Sequence, residues 1–122
     1  MRTLILDHNP QNRSTIAAVV AQLGHLDIED ATNVADARAG LENSIPDILV
    51  FNDILPDAIP FAEAVRRRNP RVVIVALASD RVRAAAARNV ANTVVPPGFT
   101  PDIFAQRLSE ALANPGRLAA AA

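Results

Sequence analysis

Four stretches of this chain are apolar with little or no interruption: Thr3–Leu6, Ile48–Phe51, Val72–Ala78 and, more briefly, Thr93–Val95. Each runs into a polar or proline-bearing turn, the pattern of a strand covered on both faces. Residues 26–31 (LDIEDA) instead alternate apolar and acidic positions, as a strand near a sheet edge would. Between these segments the period changes. Ile16, Val19, Val20 and Leu23 recur at i, i+3, i+4, i+7, one helical stripe that Asn9–Pro10 opens and Gly24 stops. Val34–Leu41 predicts an Ala-rich helix loosened by Gly40, and Phe61, Ala64 and Val65 a short helical face ending in Arg66–Arg68. Residues 80–90 predict an Ala/Arg helix, and Ile103, Phe104, Leu108 and Leu112 a final amphipathic helix closed by Asn114–Pro115–Gly116.

Five strands alternating with five helices predict an α/β fold, a single doubly wound, five-stranded parallel sheet. Residues 1–116 form one domain with no repeat or linker, and residues 117–122 (RLAAAA) are expected to be a frayed tail or a junction to a further region. At 122 residues, half of them hydrophobic, the chain is long enough to bury a core without staples.

Composition narrows the functions. There is no cysteine, which excludes disulfides and thiolate metal sites and fits a cytoplasmic location. No apolar run approaches a membrane span, and the amino-terminal stretch breaks at Asp7 without the pattern of a signal peptide. A net charge of −1 and four Phe as the only aromatics supply neither a field nor a stacking platform for nucleic acid. No G-x-G-x-x-G or P-loop follows any strand. Charge is nevertheless uneven: acids crowd residues 27–57, while Arg66, Arg67, Arg68, Arg71, Arg81, Arg83 and Arg88 share one later window. The Arg66–Arg68 run is read as a solvated helix C-terminus, where cations complement the helix dipole.

In a doubly wound sheet, sites form outside the carboxyl ends of the strands, where strand order reverses. Here those ends are Asp7–His8, Asn52–Asp53, Leu77–Ser79 and Val95–Pro97. Their context resembles the receiver domains of bacterial response regulators over essentially the whole chain. "LILDHNPQNR" resembles that family's first strand and acidic turn, "PDILVFNDILPD" its third strand and phosphorylated aspartate, and "VVPPGFT" its lysine–proline–phenylalanine signature. The resemblance implies a flavodoxin-like sheet of order 2-1-3-4-5.

It also implies a degenerate site. Asp7 keeps the first acid position, but His8 stands at the second, and Asn52, four residues before Pro56, at the acceptor. Leu77 replaces the hydroxyl residue and Pro96 the lysine, with Gly98 inserted before Phe99. An amide cannot form an acyl phosphate as a carboxylate does, and it is a weak magnesium ligand. Phosphoryl transfer depends on positioning and charge neutralisation, so such losses compound. Thr93, at a position often filled by an aromatic switch residue, Ile59–Pro60 in place of Asp–Gly, and a shortened fourth-helix segment point the same way.

The expectation is a pseudo-receiver that is not an enzyme, takes no phosphate, metal or cofactor, and binds a signalling or regulatory protein or a second copy of itself. Phe99, at the tip of a loop that Pro96–Pro97 stiffens, is the leading contact candidate, with Arg81 and Arg83 at the same sheet edge. In the resemblance the second proline follows a cis peptide. Against this stands burial of Phe99 against the last helix. His8 beside Asp7 reads as a hydrogen-bonded surface histidine, for one histidine and one carboxylate fall short of a metal site. Alternatives are a true phosphoacceptor using Asp53, which requires a slip that strand alternation opposes, and a small-ligand binder.

Overall fold

The structure is a computed structural model that describes residues 1–121. Along the chain run β1 (Arg2–Leu6), α1 (Pro10–Gln22), β2 (Asp27–Ala31), α2 (Val34–Leu41), β3 (Ile48–Asn52), α3 (Ala58–Arg68), β4 (Val73–Leu77), α4 (Arg81–Ala87), β5 (Thr93–Val95) and α5 (Pro101–Ala113). The strands form one sheet, ordered β2-β1-β3-β4-β5, with every pair parallel. The expected fold and strand order are those observed.

Two apolar layers enclose the sheet. On one face Ile5, Val50, Val75 and Leu77 pack against Ile16, Val19 and Val20 of α1 and Phe104 and Leu108 of α5. On the other, Leu4, Leu6, Leu49, Phe51, Ile74 and Ala76 meet Ala37 and Leu41 of α2, Phe61 and Val65 of α3, and Ala87 of α4. Double coverage explains why β3 and β4 are apolar at nearly every position, whereas the edge strand β2 is exposed at Asp27, Glu29 and Asp30. Alternation along each strand assigns its residues to the two layers. Odd positions of β1 and β4 and even positions of β3 face α1 and α5.

Side-chain caps start most helices: the oxygens of Asn9, Asn33, Asp80 and Thr100 accept backbone N–H groups of the first turns. At α3 the preceding Asp57 is held at φ +63°, a left-handed backbone, and makes no cap bond.

Of the segment 117–122, expected to be a frayed tail or a junction, the residues through Ala120 are hydrogen-bonded to the domain rather than frayed, and residue 122 lies outside the described residues. The N–H groups of Ala119 and Ala120 donate to the carbonyls of Ala91 and Arg88, and Arg88 donates to the Ala119 carbonyl at 2.9 Å. The Asn92 side chain supplies the anchor. Its Nδ2 donates to the carbonyls of Pro115 and Arg117, both at 2.8 Å, while its Oδ1 accepts from Ile74 N–H and from Arg66. Arg66 also donates to the carbonyls of Val72 and Val90, so this member of the arginine run is a strut rather than a solvated cation. Its burial lowers the guanidinium pKa by desolvation without discharging it at neutral pH. Arg68 similarly donates to the Leu41 carbonyl.

Candidate functional site

Strand register alone brings the expected positions together. β3 pairs with β4 so that Asn52 lies opposite Leu77, and Leu77 lies opposite Val95 of β5. Asp7 follows β1, whose Leu6 pairs with Phe51. By alternation Asp7, Asn52 and Leu77 therefore project on the α1/α5 side of the sheet's carboxyl edge. Leu77 is buried in the apolar layer there, and Pro96 and Pro97 are exposed just beyond Val95.

Asp7 is the centre of the arrangement. It is fully buried, and nitrogen donors surround it. Oδ1 accepts from the Asn9 N–H at 2.9 Å and Oδ2 from Asn12 Nδ2 at 3.0 Å. Asn52 Nδ2 lies 3.4 Å from both oxygens, and His8 Nδ1 lies 3.4 Å from Oδ1. The Asn52 amide has a defined sense, because its Oδ1 accepts the Ile54 N–H at 3.1 Å. The reversed amide would present an oxygen to the carboxylate and a nitrogen to an N–H. Arg13 donates to the Asp7 main-chain carbonyl at 2.8 Å and pairs with Asp30.

This donor set does not suit magnesium, the ion that the receiver resemblance implies. A hard divalent cation takes oxygen ligands. Here one carboxylate is present, its oxygens already accept N–H groups, and the Asn52 oxygen points to the main chain. No three His, Asp or Glu side chains come together as a metal site among the described residues. His8 is largely exposed and adds a nitrogen donor rather than a second acid.

Asp53 sits beside Asn52 but occupies a different corner. It continues the alternation of Leu49 and Phe51, towards the opposite layer, and is 7% exposed. Its Oδ1 accepts from Ser79 N–H at 2.8 Å and Ser79 Oγ at 2.7 Å, and its buried Oδ2 has no hydrogen-bond partner among the described residues. Strand alternation thus separates Asp53 from Asp7, as expected from sequence.

The contact candidates divide. Arg81 and Arg83 are exposed on the first turn of α4 and flank Val82, which is 81% exposed. Phe99 is only partly buried, yet its ring packs against the α1/α5 layer and lies 5.9 Å from the Phe104 ring at 42°. The burial expectation describes it better than a free aromatic tip. No cis peptide occurs among the described residues, so the Pro96–Pro97 bond is trans, contrary to expectation. Gly98 at φ +70° turns the chain instead.

Sequence reasoning passed over Asn12, Arg13 and Ser79. Asn12 had a readable signal: as the third residue of α1 it lies on the turn that faces the end of β1. Ser79 had a weaker one, its position two residues beyond Leu77 on the strand next to β3.

No protein-family model and no curated protein sequence matches this chain. Solved structures do. The receiver domain of NtrX from Brucella abortus superposes with a TM-score of 0.79 at 18% identity, over 92% of this chain and 98% of that one. A CheY-like response regulator receiver domain protein from Methanospirillum hungatei JF-1 gives 0.80 at 18%, over 93% and 94%. The fold is that of a response-regulator receiver. The beryllofluoride-activated NtrC4 receiver domain dimer gives 0.79 at 17%, over 93% of this chain and 98% of that one. Against the longer NtrX chain of Brucella abortus in complex with ADP, the match covers 94% of this chain but only 28% of that one (TM-score 0.79, 18% identity). No helix among the described residues is long and apolar enough to cross a membrane.

Proposed function

We propose that this receiver-fold protein is a pseudo-receiver, a non-enzymatic module that works in bacterial signalling by binding a protein partner without being phosphorylated. One observation carries the reading: both oxygens of Asp7 accept N–H groups, from Asn9 and Asn12 and at longer range from Asn52, in a pocket with no second carboxylate beside it. With Asp7 the single carboxylate there and both its oxygens already accepting N–H groups, and a leucine and a proline in place of hydroxyl and lysine, little remains to gather a metal or to stabilise a transferring phosphoryl group. The output conformation is then constitutive. The partner is a cytoplasmic signalling or regulatory protein, and the exposed Arg81, Val82 and Arg83 are its first contact candidates, ahead of the packed Phe99.

Incubation with acetyl phosphate and magnesium, followed by intact mass measurement, tests the reading. The expected result is an unmodified mass for wild type and for Asn52→Asp alike, because restoring one carboxylate leaves His8, Leu77 and Pro96 in place. A hydroxylamine-labile phosphate adduct on wild type overturns it.

A second reading, phosphorylation on Asp53, has one observation in its favour, the unpartnered Oδ2. Burial and the hydrogen bonds to Ser79 oppose it. An adduct that disappears in Asp53→Asn would establish it.

A further inference from the structure

The charges of this chain are sorted by its topology. Residues 1–57 carry nine acids and three arginines, and residues 58–122 carry four acids and nine arginines. Because β2, β1 and β3 come from the first part and β4 and β5 from the second, this sequence bias becomes a charge gradient across the sheet. The two edges are its poles.

At the β2 edge, Asp27, Glu29 and Asp30 are exposed on the strand and Glu42 on the end of α2. Glu29 pairs with Arg2 and Asp30 with Arg13, whereas Asp27 and Glu42 have no ion-pair partner among the described residues. Leu26, next to Asp27, is 79% exposed. At the β5 edge a groove of about 400 Å³ runs between α5 and the folded-back tail, and Arg88, Arg107 and Arg117 line it with a single acid, Glu110. None of these three arginines forms an ion pair among the described residues. Its apolar lining is the half-buried Val94 and Leu118 and the buried Ala111. Arg107 donates to the Val94 carbonyl, so this edge presents guanidinium groups rather than a bare strand.

Both features lie at the same end of the sheet. Leu26 and Asp27 are at the start of β2 and Glu42 follows α2, while Asn92, Asn114 and Arg117 mark the groove at the start of β5 and the end of α5. A second copy displaced along the sheet, without inversion, therefore brings an acidic edge with an exposed leucine against a basic groove with an apolar lining.

We infer that the β5 groove is a docking site for the β2 edge of a second copy of this chain, in a head-to-tail contact. Leu26 is the apolar anchor, and Asp27 and Glu42 face Arg88 and Arg117. Such a contact is heterologous: each copy keeps one free acidic edge and one free groove, so association does not stop at two. It is strongest at low ionic strength, where complementary fields set specificity and encounter rate. It requires nothing of the Asp7 pocket and stands whether or not that pocket takes phosphate.

The test is sedimentation velocity across protein concentration at about 10 mM and about 1 M salt, where screening lengths are about 30 Å and about 3 Å. Wild type is expected to grow past the dimer at low salt and to dissociate at high salt. Asp27→Arg/Glu42→Arg and Arg88→Glu/Arg117→Glu should each weaken self-association about tenfold or more, and an equimolar mixture of the two should re-associate. Leu26→Ser should weaken it while leaving the salt dependence in place. Wild type that stays monomeric at low salt overturns the inference. So does a closed dimer indifferent to the acidic-edge substitutions, or failure of the mixture to re-associate. Thermal melts verify folding. Should a double variant melt early, Asp27→Arg and Arg117→Glu alone carry the same test, since neither side chain is hydrogen-bonded among the described residues. Acetyl phosphate reactivity of the same samples reports separately on the pocket.

Discussion

Two buried aspartates, Asp7 and Asp53, stand at the same edge of the sheet and are solvated by the protein in opposite ways. Asp7 has both oxygens engaged by amide and main-chain N–H groups, and the cation Arg13 holds its carbonyl. Asp53 has one oxygen held by Ser79 and the other without a hydrogen-bond partner among the described residues. Equal burial thus does not mean equal cost. A buried carboxylate that collects several N–H donors recovers much of its desolvation, whereas an orphaned oxygen does not. The first corner is built around its charge. The second tolerates one.

Substitutions can break that contrast. The largest effect is expected from Asp7→Asn, which removes an acceptor and sets a new NH2 against those of Asn12 and Asn52. Urea denaturation should show a loss of about 2–3 kcal/mol. Asn52→Asp comes next. It places a second carboxylate against Asp7 and should cost about 1–2 kcal/mol by the same measurement, with little recovery on adding magnesium. Ser79→Ala removes one of the two bonds to Asp53 and is expected to cost about 1 kcal/mol. Asp53→Asn should have the smallest effect and the opposite sign. Its oxygen can still accept from Ser79 while the uncompensated charge disappears, so stability should be unchanged or rise by up to about 1 kcal/mol. Equal losses for Asp7→Asn and Asp53→Asn would remove the distinction between the corners.

The sheet was legible because burial on two faces writes itself into sequence as unbroken apolar runs at Ile48–Phe51 and Val72–Ala78. The edge strand announced itself by alternation with acids. At the candidate site, positions set by strand ends (Asp7, Asn52, Leu77) could be placed in advance, because alternation is a local rule. Partners supplied by other elements were harder to place, since only their position in a turn or at a strand end pointed to them. Asn12 reaches Asp7 from a helix, and Ser79 reaches Asp53 from a neighbouring strand end, and neither contact leaves a trace in periodicity. The tail is a related case: the segment 117–120 has too little apolar surface to demand burial, and it is held instead by main-chain bonds and by one distant side chain, Asn92. At Pro96–Pro97 the resemblance implied a cis peptide, but with Gly98 inserted the turn is made at Gly98 and the peptide is trans.

Asn92 has a kinetic consequence. Its amide joins the Ile74 N–H in the middle of the sheet to the carbonyls of Pro115 and Arg117, beyond α5. If the last turn lifts away, Asn92 loses two acceptors and its grip on β4 slackens. Solvent isotope exchange at Ile74 should then follow the opening of the tail rather than the global unfolding of the strands around it. A segment outside the sheet would set the protection of an interior amide.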